Sequence, residues 1–391
     1  MQVKKSPKTK ILSKKAVLKY LKSLTSKEGY LYASDKRYHR LFGRDGLITS
    51  LELLPWFPNY AKNTLTILSK LQGVKGQIIH ENVSDMRKET RWDSLDSTPL
   101  FLILAFEYFS KTKDKNFLEK ILPHIEEALR WIENFGDYDK DCFMEYHRSS
   151  KGLAHHCWKD SPNGITDQDN NLPEYPIAPA EAQGYLYKAY LGASEIYLIF
   201  KNKEKAAKYQ KEAEKLKELF NKKFWIKKEK FFAIALDGNK KSVDVISSNI
   251  GHILWSGIID DQKIKPVVSR LLKNDILTES GLRTLSSKMG NFDPFSYHNG
   301  SIWPFDNWFF AEGLEKYGYR KEASIVRKSV LKALEILNSP YECYTLLDNK
   351  LGLKLTTWDN YSLKPEKIQA WTVGAMWSFM EKLNIKGQNE K

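Results

Sequence analysis

A chain of 391 residues, 42% hydrophobic and 28% charged, is long enough for a large core and too evenly mixed for a disordered or fibrous protein. Its formal net charge of +14 comes mostly from Lys spread along helical faces such as KNKEKAAKYQKEAEKLKELFNKKF (201–224). That pattern reads as a solvated face with local ion pairs and argues against a nucleic-acid partner. Three cysteines (Cys142, Cys157, Cys343), odd in number and far apart, argue against a disulfide framework or a cysteine metal site, and no apolar run approaches a membrane span.

The N-terminal stretch MQVKKSPKTKILSKK is basic without the apolar core of a signal peptide, so we expect a flexible tail over 1–12 and a cytoplasmic address. Residues 13–391 are expected to form one domain, because no linker or composition break divides them. Helical periodicity then dominates. Helices are predicted at 14–25, 44–57, 59–73, 97–112, 115–135, 179–200, 202–223, 249–258, 262–273, 303–318, 320–337 and 367–384. Leu47, Leu51 and Leu54 recur at helical spacing. DSTP (96–99) puts a capping Asp ahead of a first-turn Pro, and SIWP (301–304) offers similar start chemistry. LFLILAF (100–106) is apolar all round and is expected to be buried on every side. The clear strand signal is one hairpin within 223–236.

Twelve helices, mostly joined in pairs by short connections, predict an all-α closed double ring in which six outer helices wrap six inner ones. From the third helix on, the loops before odd helices are mostly short. Those before even helices are long and polar or aromatic: YHRLFGRD (38–45), HENVSDMRKETRWDSLD (80–96), 137–178, DVISSN (244–249), FDPFSYHNGSIW (292–303) and 339–365. In an alternating ring all even-helix starts share one rim, so six unusual loops converge on one pocket. Aromatics reach 13% of the chain, many of them in these polar loops, which suits a sugar with its apolar faces.

The segments RYHRLFGRDGLIT (37–49), LDSTPLFL (95–102), WKDS (158–161), PIAPAEAQGYLYKA (176–189), SNIGHILWSGI (248–258), SGLRTLS (280–286), YHNGSIWPFDN (297–307) and QAWTVGA (369–375) resemble, in order, the amylo-α-1,6-glucosidase module of glycogen debranching enzymes. They are similar too to related six-hairpin glycosidases, including the mannosylglycerate hydrolase-like group. The resemblance implies an (α/α)6 toroid that hydrolyses a glycosidic bond with inversion, using two carboxylates and no metal or organic cofactor.

It places the general acid at Asp160, for which Trp158 supplies an apolar wall. The general base is expected at Glu342 in PYECY (340–344), where the family carries a PELF-like loop; Asp348 and Asp359 are rivals in the same stretch. Arg44 and Asp45 resemble the glucoamylase-like pair that grips hydroxyls of the terminal sugar. His80 and Glu81 match the family's HE pair. Asp96 is read either as a helix cap or as a sugar contact. Glu181 and Gln183 follow the acid loop, where Gln183 is expected to reach sugar and Glu181 to orient or tune. His298, Asn299, Trp303 and Asp306 are expected to line the pocket. HENVS is not a zinc-binding HExxH, and His155-His156 lacks a third ligand at suitable spacing.

The reading is therefore an exo-acting inverting glycosidase, most simply a debranching-type α-1,6-glucosidase. Alternatives are a hydrolase of a small α-glycoside such as a glucosyl or mannosyl disaccharide or glycerate, a sugar epimerase on the same toroid, or a non-catalytic carbohydrate-binding toroid.

Overall fold

A computed structural model describes residues 12–82, 91–148, 152–356 and 362–384. The expected tail, apart from Leu12, and the rival carboxylate Asp359 lie outside the described residues. Twelve helices appear in the expected order: α1 (Lys14–Leu24), α2 (Gly43–Leu53), α3 (Pro58–Lys70), α4 (Ser97–Thr112), α5 (Lys115–Phe135), α6 (Ala180–Ile199), α7 (Lys203–Lys223), α8 (Asn249–Ser256), α9 (Asp261–Leu271), α10 (Pro304–Lys316), α11 (Arg320–Leu337) and α12 (Ala370–Lys382). None is long and apolar enough to cross a membrane.

The even helices pack side by side in the cycle α2–α4–α6–α8–α10–α12 and back to α2, and odd helices pack outside them: the ring is an (α/α)6 toroid. Burial follows that division. All eleven residues of α2 are buried, as are Leu100–Ala105 of α4 and Ala370–Met380 of α12. Outer helices bury one stripe only. In α5 it is Phe117, Leu118, Ile121, Ile125, Ala128, Leu129 and Ile132, at the three- and four-residue spacing of an amphipathic helix. Inner helices approach closely enough that a Cβ on Gly313 of α10 would collide with the backbone nitrogen of Trp255 of α8.

Three local expectations change. α2 stops at Leu53 rather than reaching 57: Leu54 keeps helical dihedrals, but Pro55 has no N–H to donate to the carbonyl of Leu51, and the ladder ends there. Asp96 sits at the N-cap of α4 but makes no capping bond; its carboxylate accepts from Ser94 Oγ (2.5 Å) and Arg44 Nη1 (3.2 Å) instead. The hairpin is Trp225–Ile226 against Phe231–Phe232 only. Ala235–Leu236 leaves it to pair with Ala178–Pro179 and Ser242–Val243, tying the start of α6 to the approach to α8.

Candidate active site

The site is built from the loops that precede the inner helices. Gly43 opens α2, and its N–H donates to His80 O at 2.8 Å. A Cβ there would strike the carbonyl of Ile79, so glycine lets the helix start press onto the 78–81 strand of loop. That contact delivers Arg44, 4% exposed, to the centre of the rim. Its guanidinium donates to Asp160 Oδ2 (2.8 Å), Asp96 Oδ2 (3.2 Å) and the Cys157 carbonyl (2.8 Å), and its Nε lies 3.9 Å from Asp45 Oδ1. Burial opposes the Arg44 charge, but three carboxylates outweigh it and hold the guanidinium protonated.

The loop that carries Asp160 is pinned on several sides. Leu95 N–H donates to His156 O (2.7 Å), and the buried Lys159 turns away from the cavity to donate from Nζ to Thr284 O (2.8 Å). Trp158 stacks on His252 (ring centroids 5.7 Å, 7°) and meets Trp303 and Phe305 edge-on. Asp160 therefore projects from a fixed turn with its side chain 22% exposed. Burial raises the Asp160 pKa, and the hydrogen-bonded Arg44 offsets part of that rise without cancelling it.

Glu342 is held differently. An antiparallel bridge joins Tyr344 to Ile302, so the loop before α12 is fastened to the loop before α10. Tyr297 OH donates to Glu342 Oε1 at 2.6 Å, and the Glu366 N–H donates to Oε2 at 3.0 Å. No cation forms an ion pair with it among the described residues. Burial pushes its pKa up to about 7, against the two donors, which favour the carboxylate. Asp45 is likewise raised to about 7 by burial, with Arg44 opposing, and it accepts from Gln369 Nε2 at 3.1 Å.

Asp160 and Glu342 line one cavity of about 230 Å³. Arg44, Asp45, His80, Glu81, Trp158, His298 and Trp303 line it too. His298 stacks on Trp303 (5.3 Å, 20°), and its Nδ1 accepts from the Ser161 N–H (3.4 Å) and lies 2.8 Å from Ser161 Oγ beside the acid. Burial lowers the His298 pKa well below the usual imidazole value, keeping it neutral. Glu81 is engaged by two guanidinium groups, Arg40 (2.6 Å) and Arg91 (3.2 Å), which also line the cavity.

Five candidates stand behind this wall rather than on it. Asp96 is fully buried and spent on Arg44 and Ser94. Gln183 bonds the backbone of Met144 on both sides (2.8 and 2.6 Å), bracing the start of the acid approach. Asn299 donates to Asn163 O in the acid loop. Asp306 pairs with His252 Nε2 at 2.8 Å, beneath Trp158. Glu181 is fully buried, and burial raises its pKa, with the neighbouring Asn249 and His252 opposing. A residue next to a pocket motif in sequence is as easily a brace as a contact: Asp96, Gln183, Asn299 and Asp306 brace, and Glu181 is buried without lining the cavity. Asp348, the remaining described rival to Glu342, lies in the exposed tip 347–350 and lines no part of the cavity.

Sequence reasoning missed Tyr38, Arg40, Phe42, Arg91, Leu153, Tyr297, Gln369 and Trp371, all of them lining residues. All but Leu153 fall inside segments quoted above. Gln369 and Trp371 bracket the first residue of α12, so the shared-rim argument alone would have reached them. It would have overreached at α8: the short loop before it bonds under the 284–286 segment (Ser248 N to Thr284 O, 3.2 Å) and contributes no lining residue.

Among the described residues one carboxylate cluster has metal-like spacing, Asp137, Asp139 and Glu145, and it is outside the cavity. Lys240 Nζ already sits in it, 2.6 Å from Asp139, 2.9 Å from Asp141 and 3.0 Å from Glu145.

Comparison with known proteins shows the family and the fold. Residues 44–350 match the model of the mannosylglycerate hydrolase MGH1-like glycoside hydrolase domain. Among solved structures, the chain is similar to the GH63 mannosylglycerate hydrolase from Thermus thermophilus in complex with Tris and D-glycerate (TM-score 0.73, 13% identity, covering 95% of this chain and 99% of that one). It is also similar to the neutral trehalase Nth1 from Saccharomyces cerevisiae (TM-score 0.67, 13% identity, covering 91% of this chain and 73% of that one). An uncharacterized protein of Borreliella burgdorferi is 25% identical over 247 residues, 60% of this chain; the match spans 46% of that relative's length.

Proposed function

This chain belongs to the mannosylglycerate hydrolase MGH1-like glycoside hydrolase family, and from that premise we propose that it is an inverting, exo-acting hydrolase of a small glycoside with an acidic aglycone. The observation that carries the proposal is a single cavity lined by Asp160 and Glu342 together with Arg44 and Asp45 on one side and Arg40 and Arg91 at the rim.

Asp160 is the general acid. Burial raises its pKa and so favours the protonated form that donates to the glycosidic oxygen; the carboxylate then left is stabilised by Arg44 at 2.8 Å. Glu342 is the general base. It takes a proton from a water that attacks the anomeric carbon from the face opposite the departing oxygen, so the configuration inverts. Tyr297 and the Glu366 N–H fix the orientation of that carboxylate. Asp45 accepts from sugar hydroxyls while Gln369 holds its other oxygen.

Two observations favour a small substrate over a glucan branch. The cavity is about 230 Å³, room for little more than a terminal sugar and a short aglycone. Arg40 and Arg91 share one carboxylate, Glu81, which leaves a net positive rim suited to an anionic group such as glycerate. The test is a hydrolysis panel of mannosylglycerate, glucosylglycerate, trehalose, isomaltose and a branched glucan. The proposal expects an acidic glycoside to be cleaved fastest, and Arg91→Gln to raise KM for it while leaving the neutral disaccharides unchanged. Fastest release from the branched glucan would restore the α-1,6-glucosidase reading.

A further inference from the structure

A second cavity, about 590 Å³, lies behind the base. Consecutive residues face the two chambers: Arg37 lines the second and Tyr38 the first, Tyr341 the second and Glu342 the first. Glu366 completes the partition, lining the second cavity while its N–H donates to Glu342 Oε2.

The charge in this cavity is one-sided. Lys36, Arg37, Lys354, Lys364 and Lys367 line it against a single acid, Glu366. That acid is already engaged: its Oε2 accepts from Ser34 Oγ (2.8 Å) and the Arg37 N–H (2.9 Å), and Oε1 lies 3.7 Å from Arg37 Nε. No carboxylate pairs with Lys36, Lys354, Lys364 or Lys367 among the described residues. Four unmatched ammonium groups around one hollow repel each other, and a multiply charged anion relieves that repulsion more than a single charge can. Lys ammonium groups bind phosphoryl oxygens as point charges, and four of them around one hollow favour a dianionic phosphomonoester over a singly charged carboxylate. The rest of the lining, Tyr341, Leu353 and Pro365, is mostly apolar and fits a carbon skeleton.

We propose that this cavity is a second ligand site, which takes a small organic phosphomonoester and shares a wall with the catalytic cavity. It is distinct from the substrate site. In an inverting hydrolase the leaving group departs on the face opposite the base, whereas this chamber is separated from the first by Tyr341, Glu342 and Glu366. An occupant here reaches the base through Glu366, whose backbone holds Glu342 and whose side chain is held by Arg37.

Binding can be measured on the full chain by calorimetry, whether or not the chain is an active glycosidase. The probes are glucose 6-phosphate, inorganic phosphate and glucose, compared for the wild type and for the double variant Lys364→Glu, Lys367→Glu. The two lysines are exposed, and the carbonyls by which they join the fold (Lys364 O to Arg37, Lys367 O to Ser339) are untouched by the change. We expect glucose 6-phosphate to bind more tightly than inorganic phosphate, glucose not to bind this site, and added salt to weaken the phosphate probes. The double variant should bind glucose 6-phosphate at least about tenfold more weakly, a loss of about 1.4 kcal/mol, with its glycosidase activity without probe unchanged. Equal binding by the double variant, loss of binding on Arg91→Gln instead, or no heat with either phosphate up to about 10 mM would overturn the proposal.

Discussion

The acid side and the base side of the cavity bury chemically similar groups and hold them in opposite ways. Asp160, 22% exposed, is gripped by a guanidinium that also serves Asp96 and lies beside Asp45. Glu342, 2% exposed, is gripped by two neutral donors, a phenol and a backbone amide. Both are raised by burial. The difference is in what happens when the proton moves. In the proposed roles, Asp160 has a full positive charge waiting for the anion it becomes, while Glu342 is hydrogen-bonded by neutral donors, which leave its basicity for water.

The sharpest break is to remove each carboxyl in turn. Asp160→Asn and Glu342→Gln should each cut kcat by roughly 10²–10⁴-fold on an unactivated glycoside. They should then diverge. A nitrophenyl glycoside, whose leaving group needs little protonation, should restore turnover to the Asp160 variant and not to the Glu342 variant. Equal rescue of both would show that the two positions do not differ in role.

Arg44→Leu comes next. It strands Asp45, Asp96 and Asp160 without their shared cation, and breaking a buried pair in this way costs about 3–5 kcal/mol. Chemical denaturation should show that loss at neutral pH and a smaller one in acid, where the carboxyls are protonated. A variant as stable as the parent at pH 7 would mean that Arg44 does not organise the acid side.

Tyr297→Phe probes the base side more gently. The phenol favours the Glu342 carboxylate, so its loss raises a pKa already near 7. Glu342 must be ionised to act, so the acidic limb of the kcat/KM profile should move to higher pH, with a drop in kcat of about tenfold or less above that limb. An unmoved limb would detach Tyr297 from the base.

The smallest effect uses a third buried carboxylate with no partner at all. Glu52 of α2 faces α12, neither oxygen is hydrogen-bonded, and burial raises its pKa well above the usual carboxyl value. A raised folded-state pKa means that stability is whole below the unfolded pKa, near 4, and falls as pH rises from there toward the folded value. Glu52→Gln should thus stabilise the fold by about 1–3 kcal/mol at pH 8 and by little at pH 4. The same gain at both pH values would rule out ionisation as the cause.

Much of this was readable in the chain itself. The twelve helices carry long 3.6-residue periodicity, and their pairing by short connections implied the ring and the shared rim. Trp158-Lys159-Asp160 and Tyr341-Glu342 were visible as polar breaks between helices. The depth of each side chain was not visible. Gln183 and Asn299 have the same amide and the same motif context as a sugar-binding residue, yet their hydrogen bonds go to Met144 and Asn163, long-range partners that periodicity cannot reveal. Arg91 joins the rim only because Glu81, ten positions earlier, folds back to meet it. Two-residue strands such as Ala178–Pro179 carry too little pattern to be read, since partners nearly sixty residues away create them.

The most direct measurement is proton NMR of the first product released from an α-linked glycoside, read before mutarotation. Attack by a water activated at Glu342, opposite a bond protonated by Asp160, gives the β-anomer of the freed sugar first. Initial appearance of the α-anomer would contradict the account.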